Sequence, residues 1–112
     1  MAHIIRVNLG GEGEVPDAVN QQGFWIFSTG WASSREGKPL AALRSEGHRF
    51  VVSDNRLLPF GNDSVDEVFT NGVPIDGRDT WLGPPVQSLE AVRILKPGGK
   101  WFRDDVLIFE KP

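Results

Sequence analysis

Short runs of β-branched and aromatic residues alternate with stretches long enough to cross a sheet. No other feature of the chain restricts its fold as much. HIIRVNLG (3–10) reads as a buried strand ending in glycine, and GFWIFST (23–29) as a second strand. HRFVVSD (48–54) and VDEVFTNG (65–72) read as the third and fourth. Between them, EVPDAVNQQ forms a short helix or none, and GWASSREGKP is a loop. PLAALRSEG (39–47) is a short helix, with Pro39 in its first turn and Gly47 at its end. Pro59 keeps NRLLPFGNDS in a loop, and VPIDGRDTWLGP is a longer one. PPVQSLEAVRILKPGG holds the clearest helix. Val86, Leu89, Val92 and Leu95 recur along one face, Ala91 and Ile94 broaden it, and KPGG closes it. KWFRDDVLIFEKP is a terminal strand, or a hairpin turning at Asp104-Asp105. The alternation predicts an α/β fold: a small, doubly wound, mostly parallel sheet in one domain spanning 1–112.

The charges limit the partners. The net charge is −3, with both signs scattered, and nothing resembles the basic stripe that duplex nucleic acid requires. No run approaches the ~20 apolar residues of a membrane-spanning helix, and the N-terminal apolar run is too short for a signal peptide. The chain has no cysteine, which excludes disulfides and thiolate metal sites and fits a cytoplasmic protein. It has four tryptophans and no tyrosine. A tryptophan packs a core or anchors an interface; Trp31 and Trp81 fall in loop segments and are candidate partner contacts.

NLGGEGEVPDAVN places Gly10, Gly11 and Gly13 directly after the first strand. A glycine-rich turn there cradles an anionic or nucleotide-like ligand, or is simply a tight turn. Glu12 and Glu14 oppose the first use. A carboxylate ~4 Å from an anion, at an effective dielectric of ~20, repels it by ~4 kcal/mol. The same glutamates suit a cation, a basic partner surface or plain solvation. Asp54 is either a ligand contact or a cap for its own loop. Asp63, Asp66 and Glu67 read as a solvated strand entry, and no two carboxylates are placed as a catalytic pair. His3 and His48 have no evident partners, no metal-ligand spacing appears, and Ser33-Ser34 lacks a glycine-flanked elbow. No catalytic residue and no metal ligand is assigned.

SDNRLLPFGNDSVDEVFTNGVPID followed by LEAVRILKPGGKWF resembles the class I S-adenosylmethionine-dependent methyltransferases. The matching residues are Asp54, Leu58-Pro59-Phe60, Asp66-Glu67-Val68 and Arg93 through Gly99, and the likeness covers about 48–102. It implies a truncated Rossmann-like methyltransferase fold, with the ligand crevice at the carboxyl ends of the strands. It also implies S-adenosylmethionine as cofactor, held by Gly10, Gly11 and Gly13, with Asp54 at the adenine amine.

The chain departs from that pattern in several places. The family's loop, approximately D-x-G-x-G-x-G, falls on Asn8 through Glu14. Its acid becomes Asn8, and two of its glycines become Glu12 and Glu14; shifting by one residue restores Gly11 and Gly13 but puts the acid at Leu9. The ribose-binding acid expected after the second strand is replaced by Ser28 and Thr29. TNGVP (70–74) lacks the prolines and the aromatic residue of an NPPY-type substrate motif. The family's helices before the first strand and its two strands after the fifth have no counterpart here. A starting Met1 and a compact ending speak against a fragment. Together these features favour a non-catalytic protein on a degenerate methyltransferase-like scaffold, with no cofactor. It would bind a protein partner through Glu12, Glu14, Trp31 and Trp81. By resemblance, bacterial immunity proteins that neutralise a toxin domain are one form of this. The alternative is a minimal methyltransferase that uses S-adenosylmethionine alone or with a completing chain.

Overall fold

The computed structural model describes residues 3–27, 31–33, 36–81 and 83–112, with Trp25 by its backbone only. It is an α/β structure with a six-stranded sheet in the order β3-β2-β1-β4-β5-β6. The strands are β1 (Arg6–Leu9), β2 (Ala18–Gln22), β3 (Arg49–Val52), β4 (Val65–Thr70), β5 (Leu95–Arg103) and β6 (Val106–Glu110). All neighbours pair parallel except β5 and β6, which form an antiparallel hairpin. Asp104 and Asp105 both take positive φ, 48° and 67°, as a tight two-residue hairpin turn requires. The helices are α1 (Leu40–Ser45), between β2 and β3, and α2 (Ser88–Ile94), between β4 and β5. The chain runs outward from β1 to β3, returns to β4, and runs outward again to β6. The strand order therefore reverses between β1 and β4, where open α/β sheets bind ligands.

The register separates an apolar face from a polar one. Val7 pairs with Val68 and Leu9 with Thr70, and Val68 in turn pairs with Trp101. These residues alternate with Asn8 and Phe69, which point to the other side. On the apolar side, Val7, Leu9, Val68 and Trp101 join Leu58, Val86, Ala91, Ile94 and Leu95 in one buried cluster. The Trp101 indole N–H donates to the Thr70 hydroxyl at 3.0 Å, so its one polar atom is satisfied inside the core. On the polar side, Arg6 pairs with Glu67 at 2.6 Å, and the Phe69 and Phe102 rings stack at 5.2 Å.

Three expectations change. The second strand is not 23–29 but Ala18–Gln22, and no helix forms over EVPDAVNQQ. Phe24–Phe27 is a 3₁₀ turn in which Phe24 and Phe27 are exposed. Ser28 and Thr29 lie outside the described residues. Aromatic β-propensity pointed to the wrong segment, because the strand that pairs is the polar one whose amides find partners in the fold. Leu89 does not join the buried face of α2; it is 82% exposed, while Ala91 and Ile94 are buried. KPGG belongs to β5, which begins at Leu95 directly after α2 and shifts register against β4 between Val65 and Glu67.

Candidate functional site

The loop after β1 lies at the sheet's reversal point. An anion-binding loop needs N–H groups free to point at the ligand. Here the amides of Gly10, Gly11, Glu12 and Gly13 already have acceptors within the chain. The Gly10 and Gly11 amides donate to the Gln21 carbonyl at 2.7 and 3.2 Å, and Gly11 also reaches the Asn8 carbonyl at 3.1 Å. The Glu12 amide donates to Glu14 Oε1 at 2.9 Å, and the Gly13 amide to Asn20 Oδ1 at 3.0 Å. Glu14 therefore turns into its own loop. The same Oε1 accepts from Asn8 Nδ2 at 2.6 Å. A carboxylate of the chain thus accepts from both a backbone amide and a side-chain amide of this loop.

The space beside the glycines is filled by side chains. A Cβ on Gly11 would come within 2.5 Å of Asn20 Oδ1 and 2.6 Å of Asn8 Nδ2. One on Gly13 would meet the His48 ring at 2.7 Å, and one on Gly10 would meet Val73 at 2.4 Å. These glycines make room for neighbouring side chains. Gln22 adds a further tie, donating from Nε2 to the Gly11 carbonyl at 2.7 Å. Asn8 Oδ1, Gln22 Oε1 and Asn71 Oδ1 are buried without a hydrogen-bond partner. These three atoms are acceptors, the opposite of what an anion needs.

β2 carries the residues that sequence reasoning missed. Asn20, Gln21 and Gln22 are almost fully buried. Asn20 Nδ2 donates to the Arg49 carbonyl, and Gln21 Nε2 to Ser53 Oγ at 3.1 Å and Asn55 Oδ1 at 2.8 Å. The available signal was the amide run NQQ, since amides both donate and accept and can bridge a strand to its loops.

Asp54 sits after β3. Its carboxylate accepts from the Arg56 amide at 2.9 Å, from Arg56 Nε at 3.0 Å and from Arg56 Nη2 at 2.8 Å. These bonds hold its carboxyl below the usual range. Asp54 therefore caps its own turn. Asn55 makes the longer connection, bridging Gln21 and the Pro84 carbonyl. Of the tryptophans proposed as partner contacts, Trp31 is half-buried and Trp81 is 93% exposed. Glu12 and Glu14 are half-buried. Among the described residues, no three His, Cys, Asp or Glu side chains form a metal-binding group. No helix among them is long and apolar enough to cross a membrane.

The motif residues 58–60 and 93 are joined by one guanidinium. Arg93 Nη2 donates to the Leu58 carbonyl at 3.0 Å and Nη1 to the Phe60 carbonyl at 2.9 Å. Nε and Nη2 also grip the two oxygens of Glu90 at 2.7 and 2.9 Å. Glu90 in turn accepts from the Leu58 amide at 2.7 Å. The motif is thus a clamp between a loop and α2. The hydrogen bonds from Arg93 lead in lowering the Glu90 pKa, and the Leu58 amide adds to them. A carboxyl lowered in the folded state stabilises above its unfolded pKa and loses that contribution as pH falls through the folded value. Asp54, Asp66 and Asp76 are lowered as well. The urea midpoint should therefore hold near neutral pH and decline below about pH 4–5. Glu90→Gln should flatten part of that decline; a midpoint that rises on acidification would contradict the assignment.

No protein-family model, curated protein or solved structure matches this chain.

Proposed function

We propose that this chain is a non-catalytic, partner-binding protein on a degenerate methyltransferase-like scaffold. The observation that carries this reading is the self-closed loop, in which the amides of Gly10, Gly11, Glu12 and Gly13 are all bonded within the chain. The strand order, with parallel β1 to β5 and an antiparallel sixth strand, supports the scaffold half of the proposal. The loop supports the loss of chemistry. S-adenosylmethionine would bring a carboxylate to amides that already have acceptors, beside the Glu14 carboxylate. At the end of β2, where the family holds a ribose with an acid, stands Gln22, with its nitrogen spent on Gly11. Asp54 is engaged by Arg56. These residues do not fit the cofactor, and no methyl-transfer step is derived from them. A scaffold outlives its site because the core and the site rest on different residues. Toxin neutralisation in a bacterial cytoplasm is the narrower form of the proposal, and it rests on the resemblance.

The test is isothermal titration with S-adenosylmethionine and S-adenosylhomocysteine. No heat is expected at millimolar ligand. Micromolar binding of either would overturn the proposal and favour a minimal methyltransferase.

A further inference from the structure

Asn71–Gly72 follows β4 directly and is the one place in the sequence where glycine follows asparagine. The pair carries its own chemistry. The backbone nitrogen of the following residue attacks the asparagine Cγ, and the five-membered ring closes most readily where that residue has no Cβ in the way. A bond forms between the Gly72 nitrogen and Asn71 Cγ. The Cγ–Nδ2 bond breaks, and the proton of the Gly72 amide leaves with Nδ2 as ammonia. Water then opens the succinimide at either carbonyl, giving aspartate or isoaspartate. The net change is amide plus water to carboxylate plus ammonium. Gly72 is exposed at φ 65°, and a Cβ placed on it would meet nothing within 4 Å. The peptide is therefore open to water on that side.

One residue holds the reaction back. The Asp104 carboxylate accepts from the Gly72 amide at 2.7 Å, and the Asp104 amide donates to the Thr70 carbonyl at 3.0 Å. The first residue of the β5–β6 turn thus brackets Asn71 on both sides. Attack requires the Gly72 nitrogen to give up its proton and turn toward Cγ. A charge-assisted bond fixes that proton, and the carboxylate's charge opposes an anionic nitrogen beside it. Thr70 is fixed as well, paired with Leu9 and Arg103 in the neighbouring strands and with its hydroxyl accepting from the Trp101 indole. Asn71 Oδ1 is buried without a hydrogen-bond partner, so the oxyanion that develops during attack has no donor to stabilise it. We propose that Asn71–Gly72 is a latent self-modification site, held shut by Asp104 and released when the β5–β6 turn opens. Release runs one way. The product puts a charge where an amide oxygen already lacks a donor, close to the Asp104 carboxylate, and isoaspartate also adds a backbone carbon between Thr70 and Gly72. Neither product restores the bracket. The inference is independent of what the protein binds.

The experiment follows the intact mass of the purified full chain through a long incubation at mildly alkaline pH, both folded and in urea, with peptide mapping to locate the change. The unfolded chain should gain the mass difference between an amide and an acid at Asn71. The folded chain should gain it at least about 10-fold more slowly, because the reaction then tracks the population in which the turn is open. Asp104→Gly removes the acceptor yet suits the φ of 48° at that position, so the hairpin is kept. It should speed the folded-state reaction at least about fivefold. Asp105→Gly alters the same turn without touching the Gly72 bond, and should leave the rate at the wild-type value. A folded rate equal to the unfolded one would overturn the proposal. So would equal acceleration by the two variants, no acceleration by Asp104→Gly, or a mass gain that persists in Asn71→Gln. An unfolded chain that stays unmodified would overturn it too.

Discussion

Arg93→Ala lowers the stability of the protein by about 2–4 kcal/mol, which for a domain of this size lowers the melting temperature by about 10 °C or more. The guanidinium satisfies the carbonyls of Leu58 and Phe60 and both oxygens of Glu90. The Glu90 side chain is only 14% exposed, and Arg93 28%. Removing Arg93 leaves a half-sequestered carboxylate and two carbonyls without their donor, so the cost includes their desolvation as well as the lost bonds. Arg93→Lys should recover only a minor part. An ammonium is a point donor and cannot span two carbonyls and a carboxylate in the planar arrangement that a guanidinium provides. Thermal unfolding of the two variants checks this. A loss of less than about 1 kcal/mol in Arg93→Ala would mean that the clamp contributes little, and that the likeness of 58–60 and 93 to a methyltransferase motif needs another physical cause.

Gly11→Ala costs about 2–3 kcal/mol. Its added methyl would lie 2.5 Å from Asn20 Oδ1 and 2.6 Å from Asn8 Nδ2, and both side chains are fully or almost fully buried. Neither can yield without breaking bonds that hold the loop. Asn20 Oδ1 accepts the Gly13 amide, and Asn8 Nδ2 reaches Glu14. The urea midpoint is the measurement, with the slope unchanged if the loss is one of folded-state stability. The outcome separates the two uses of a glycine-rich turn. A glycine kept for the approach of a ligand can take a methyl with little loss of stability, and only the ligand suffers. A glycine kept for the approach of the chain's own side chains cannot. An unchanged midpoint for Gly11→Ala would reopen the loop as a ligand site.

The contrast between β1 and β2 explains how much of the fold could be read from the chain. β1, β3, β4 and the β5–β6 hairpin are short apolar runs bounded by glycine, proline or paired aspartates. Those signals act over a few residues, so they survive without tertiary context. β2 is AVNQQ, and in isolation its amides favour a loop. It becomes a central strand because Arg49, Ser53 and Asn55, far along the chain, supply acceptors for those amides. A buried polar group is tolerated only when such partners converge, and sequence proximity cannot reveal that convergence.

The candidate site divides in the same way. The sequence by itself determined the alternation that makes a parallel sheet, the position of Gly10, Gly11 and Gly13 directly after the first strand, and the absence of thiolate chemistry. It also located Trp81 in a loop. The direction of Glu14 was decided only by the tertiary structure, because it depends on Asn8 and the Glu12 amide meeting one carboxylate oxygen. So was the exposure of Leu89, whose spacing placed it on the helix's apolar face. Periodicity states which residues share a helix face; how much of that face is covered depends on what packs there. The tie of the turn at Asn55–Leu58 to Pro84 and to Glu90 is likewise a product of long-range hydrogen bonds, between groups 29 and 32 residues apart. Local patterns encode what each segment prefers, and only the folded chain fixes which polar groups find one another and which apolar groups are left in water.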